Sequence, residues 1–101
     1  MEDLIKEIVQ KIAREVRPQK IILFGSRAAG RTRPDSDVDL LLIYDGPLSK
    51  REIKLQVHRL FAERNFSLDL FVLSANEYER QKGIVSTVGR VAAREGVVCY
   101  G

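Results

Sequence analysis

The sequence predicts an α/β (α+β) sandwich, a small mixed β-sheet with helices flanking it. Three observations lead there. Helical and strand periodicities alternate along the chain. The run Leu40-Leu41-Leu42-Ile43 is apolar at every position, as in a central strand covered on both faces. The 101 residues are one domain's length at ~100–200 residues per domain, so 1–101 reads as a single domain. With 45% hydrophobic and 31% charged residues, the composition is that of a globular domain, not a disordered tail.

The elements follow in order. Leu4, Ile5, Ile8, Val9, Ile12, Ala13 and Val16 make one stripe at helical period, so 2–16 is a helix. Pro18 ends it, because the residue before proline is pushed out of the helical region. Lys20 to Phe24 is a short apolar strand bounded by Pro18 and Gly25. Residues 25–33 open with a short helix that Pro34 stops, and 37–44 form the central strand. Asp45-Gly46-Pro47 is a turn, with Asp45 serving turn chemistry.

Ser49 and Glu52 form a capping box for a helix that buries Ile53, Val57, Leu60 and Phe61 and ends near Asn65. Residues 67–73 are the next strand. Ser74 and Glu77 form a second capping box, for a helix running to about Lys82. Gly83 interrupts it. Ile84, Val88, Val91 and Ala92 then continue a helical stripe to about Glu95, with Gly96 as C-terminal cap and Val97 to Tyr100 as an edge strand.

Several classes are excluded or disfavoured. The longest uncharged apolar run, Leu40 to Tyr44, is far short of the ~20 residues of a membrane span. Met1 to Val16 mixes charged and apolar residues unlike an export signal, which makes the cytoplasm the expected location. Cys99 is the only cysteine, so no internal disulfide forms, and it is expected as a small buried hydrophobe. His58 borders the apolar stripe of its helix and reads as a boundary residue. The net charge of +3 is weak support for direct nucleic-acid binding.

The charge distribution says more. Arg17, Lys20, Arg27, Arg31 and Arg33 fall in one stretch without an acid, and Asp35, Asp37, Asp39 and Asp45 follow without a cation. Such a boundary suits a place where polyphosphate and metal ions meet. Asp37 and Asp39, two apart at the start of a strand, leave the same face with Cα atoms about 7 Å apart. Two carboxylates at that spacing can converge on one Mg²⁺ or bridge two. Asp69 stands in the next strand, with Leu68 and Leu70 on the other face. If the two strands are neighbours, three acids cluster above one apolar face. Asp35 reads as a turn residue after Pro34.

Upstream, the first strand runs into Gly25-Ser26, a corner where backbone N–H groups and the Ser26 hydroxyl can hold phosphate oxygens, with Arg27 beside them. Two other motifs fail here. Gly25 to Thr32 imitates a Walker A loop, but Arg31 replaces its lysine and Pro34 follows where a helix must open. Asp35, Asp37 and Asp39 imitate a calcium loop, but Leu40 and Gly46 occupy its obligatory Gly and Glu positions.

Gly25-Ser26, ten intervening residues, then Asp37-Val38-Asp39 resembles the signature of the polymerase-β-type nucleotidyltransferase superfamily, and 23–40 as a whole is similar to its minimal stand-alone members. The resemblance implies a nucleotidyltransferase fold in which Asp37 and Asp39 hold metal ions, most simply two Mg²⁺, and Asp69 completes the triad and activates the attacking hydroxyl. It implies that Gly25, Ser26 and Arg27 grip a nucleoside triphosphate. Ala29 departs from the arginine of many relatives, leaving Arg27, Arg31 or Arg33 to serve in its stead.

The activity so implied moves a nucleoside monophosphate, AMP from ATP, onto a hydroxyl. The chain carries about thirty residues after Asp69, so a separate protein is expected to present the acceptor. Minimal members pair with a helical HEPN protein, a ribonuclease toxin encoded nearby, and act as its antitoxin by adenylylating a tyrosine. The alternative is a non-catalytic antitoxin that neutralises a HEPN partner by contact. Homo- and hetero-oligomers both stay open.

Overall fold

The computed structural model describes residues 3–30 and 37–101. Helix α1 (Asp3–Val16) buries Ile5, Ile8, Val9, Ile12 and Val16 along one stripe and stops where Arg17 turns left-handed (φ 56°) ahead of Pro18. Strand β1 (Lys20–Phe24) follows, then β2 (Val38–Ile43), α2 (Lys50–Leu60), β3 (Leu68–Leu73), α3 (Ala75–Gln81), α4 (Val88–Glu95) and β4 (Val97–Tyr100).

The sheet order is β3-β2-β1-β4. β1 is antiparallel to both β2 and β4, while β2 and β3 run parallel through the α2 crossover, so the sheet is mixed. The central strand shows why its sequence is apolar throughout. Leu40 and Leu42 face a core built with α1 and α2, and Leu41 and Ile43 face a second core with Tyr78 of α3 and Ala92 of α4. All four are at most 2% exposed. A strand buried on both faces has no polar alternation to show.

Both capping boxes close. The Ser49 hydroxyl accepts from the Glu52 N–H at 3.1 Å and the Glu52 carboxylate accepts from the Ser49 N–H at 3.2 Å. The corresponding distances for Ser74 and Glu77 are 3.1 and 2.9 Å. Asp45 accepts from the Ala75 N–H at 3.1 Å, which ties the turn after β2 to the start of α3.

Five expectations are corrected. The stretch after Gly25 is a set of turns through Gly30, not a helix: the Ala29 N–H donates to the Gly25 carbonyl at 3.2 Å and the Gly30 N–H to the Arg27 carbonyl at 3.3 Å. The rest of that expectation, with Arg31, Arg33, Pro34 and Asp35, lies outside the described residues. Helix α2 ends at Leu60, not near Asn65. Phe61 turns into the core at 7% exposure, and its carbonyl takes the Arg64 N–H at 3.1 Å.

Ile84 is not part of the α4 stripe. It is 52% exposed, because Gly83 and Ser86 (φ 70°) break the path and Thr87 starts α4 afresh by accepting from the Arg90 N–H. Val91, also expected in that stripe, is 36% exposed. Gly96 does cap α4, but at φ −82°, not left-handed. Its glycine is needed for space, since a Cβ would lie 2.6 Å from Ile22 Cγ2. Cys99 is only partly buried, against the α1 side of the core. No helix among the described residues is long and apolar enough to cross a membrane.

Candidate active site

The site is assembled by strand register. In the parallel β2–β3 pair, Asp39 stands opposite Asp69, and in the antiparallel β1–β2 pair Asp39 stands opposite Phe24. Directly paired residues share a face, so Phe24, Asp39 and Asp69 form one row across the sheet. That face is the one α3 and α4 cover further along, where Leu41 and Ile43 lie. Leu68 and Leu70 face the other way, buried against the α1–α2 core. Asp37 immediately precedes β2 and is exposed, as is Asp69, while Asp39 between them is half-buried.

The acids act on one another. Burial first, then a hydrogen bond with Asp69, then the charges of Asp69 and Asp37, raise the Asp39 carboxyl from 3.8 to about 6. A shared proton is what two facing carboxylates adopt when no cation balances them. No three carboxylate, imidazole or thiol groups among the described residues are already drawn in to metal-ligand distance. The donor set itself, oxygen-only and over-charged, suits a hard divalent cation. Asp37 and Asp69, both exposed, have room to turn toward one.

Gly25 has a more specific reason to be glycine than close approach to a ligand. Its φ is +78°, and a Cβ there would fall onto Asp39 Oδ2. The corner backbone therefore lies directly against the central carboxylate. Ser26 is half-buried beside it. Arg27 is 7% exposed, a buried charge that is not without partners, rather than an arm open to solvent. The structure thus brings Gly25 and Asp39 together, sets Asp69 and Asp37 beside Asp39, and places Ser26 and Arg27 on the same corner.

Alternation along the sequence puts Phe71 on the face of Asp69 but does not pair it with Phe24. Phe71, two residues beyond Asp69 on the same side, packs its ring 5.7 Å from Phe24, tilted by 50°. Alternation along β3 was the available signal. His58 is half-buried on α2, at the boundary where it was expected. A groove of about 510 Å³ between α1 and the end of α2, lined by Leu4, Ile8, Lys11, Phe61 and Arg64, opens on the opposite side of the sheet from the acids.

Comparisons with known proteins bear on this geometry. The family model described as nucleotidyltransferase domain matches residues 4–95. A crystal structure of a toxin-antitoxin with AMP-PNP is similar over 95% of this chain and 73% of that one, at 19% identity and a TM-score of 0.66. A double aspartate-to-glutamate mutant of the toxin-antitoxin MntA-HpeT is similar over 95% and 73%, at 17% identity and a TM-score of 0.65. A candidate nucleotidyltransferase from Sulfolobus solfataricus shares 26% identity over 94% of this chain and 75% of its own, with a TM-score of 0.59. No curated protein matches the chain by sequence. Because one family model spans residues 4–95, nearly the whole chain, the chain belongs to the nucleotidyltransferase domain family.

Proposed function

We propose that this chain is a metal-dependent nucleotidyltransferase that moves AMP from ATP onto a hydroxyl of a partner protein, a HEPN-type toxin, and so acts in the cytoplasm as its antitoxin. The observation that carries the reading is the row Asp39–Asp69 on one sheet face, with the Gly25 backbone pressed against Asp39. The toxin-antitoxin structures among its structural neighbours support the biological setting.

In this reading Asp37, Asp39 and Asp69 hold two Mg²⁺, which when bound neutralise the triphosphate and the attacking oxygen. The Gly25–Ser26 corner donates N–H and hydroxyl hydrogen bonds to phosphate oxygens, and Arg27 adds positive potential from beneath. Asp69, exposed on β3 beside Asp39, takes the proton of the acceptor hydroxyl. The acceptor oxygen bonds to the α-phosphorus as the bond to the β-phosphate oxygen breaks, and pyrophosphate leaves.

The test incubates the chain with its partner, ATP and Mg²⁺ and weighs the partner. A gain of one AMP, absent with Asp39→Asn, supports transfer. Unchanged mass with the toxin still neutralised overturns it in favour of inhibition by contact.

A further inference from the structure

Phe71 is 38% exposed, although it sits on the same sheet face as the buried Leu41 and Phe24, at 0% and 8%. In register it is opposite Leu41, one row beyond Asp39 and Asp69. Two residues of strand separate it from Asp69, about 7 Å along the same face. The second core, with Leu73, Tyr78 and Ala92, closes the far end of that face. Phe71 is thus the step between the acids and the helices, on an edge strand whose flank is open. Its ring packs on Phe24 with centroids 5.7 Å apart, tilted by 50°, and the rest of its surface is open to a second ring. Covering Leu41 alone would need only an aliphatic side chain. An aromatic ring left partly bare one row from Asp39 and Asp69 is suited to a planar ligand ring.

We propose that Phe71 is a specificity-determining contact of this site, its exposed ring receiving a planar ring carried by one of the two reactants, the nucleobase of the donor or an aromatic acceptor group. The inference rests on the transfer reading above.

The test compares the wild type with Phe71→Leu and Phe71→Tyr. Leucine preserves cover over Leu41 and Phe24, so its melting temperature should stay within a few degrees. Loss of stacking should raise one KM by roughly tenfold, with kcat changed less, and tyrosine should restore it. A rise in KM for ATP, with ribose triphosphate lacking a base bound equally by wild type and Phe71→Leu, identifies the nucleobase. A rise in KM for the partner identifies the acceptor. Both values within twofold of wild type overturn the contact while the transfer reading stands.

A second measurement does not need turnover or a folded variant. The ring resonances of isotope-labelled Phe71 are followed while ATP with Mg²⁺, and then the partner, are titrated in. A shift with either supports the contact even if no transfer occurs, in which case the transfer reading alone fails. No shift with either overturns it.

Discussion

At Asp39, the proposed role and stability pull in opposite directions. Its carboxyl is raised to about 6 by burial and by two neighbouring acids, so ionising it in the folded protein is costly. The sign follows from the two states. Unfolded, the group ionises near 3.8; folded, it holds its proton to about 6. The penalty is absent below the first value, grows between them and is constant above the second. Without divalent metal, Asp39→Asn should therefore stabilise the fold at neutral pH by about 1–2 kcal/mol, after allowing for solvent screening, while abolishing transfer. Urea titrations at pH 3.5 and pH 7.5 check this: the gain should appear only at the higher pH. Gly25 is the converse case. Gly25→Ala should destabilise by roughly 1–3 kcal/mol, from a left-handed φ and a methyl group driven onto Asp39, as a melting curve would show.

At the scale of elements, the two capping boxes are joined: the Lys50 ammonium at the start of α2 meets Glu77 of α3 at 2.8 Å. That hydrogen bond first, then the Ser74 N–H, lowers the Glu77 carboxyl from 4.5 to about 2. Its contribution is complete above about 4.5 and is lost as the pH falls toward about 2. Glu77→Gln should therefore be less stable than wild type at pH 7, by an amount kept small by exposure, and the difference should vanish near pH 2 in a chemical-denaturation series. Both boxes were legible as Ser-x-x-Glu because capping is local chemistry between residues three apart. The end of α2 was not legible. Asn65 offered a local stop signal, but burial of Phe61 against Phe66, with ring centroids 6.1 Å apart, ended the helix earlier.

At the scale of the molecule, β2 serves both cores and the site at once. Leu41→Ala removes a fully buried side chain from the core behind the acids and should cost about 2–5 kcal/mol, and Leu40→Ala should cost a similar amount from the other face. Because the strand is shared, either loss should appear as one cooperative unfolding transition rather than two. Divalent metal should act the other way. If Mg²⁺ binds the folded acids and not the unfolded chain, it should raise the melting temperature of wild type but not of Asp39→Asn, and equal shifts would count against the metal site.

By itself, the sequence determined the class of the fold, the two capped helices, the central strand and the pair Asp37 and Asp39. Each of these rests on period, cap chemistry or spacing within a few residues. Tertiary structure alone decided that Asp69 comes opposite Asp39, that Gly25 is glycine because a carboxylate occupies the space of its Cβ, and that Phe71 stands half bare beside them. Those facts depend on which strands become neighbours and in what register. Register is set by burying both faces of the whole sheet, a property no short stretch of residues contains.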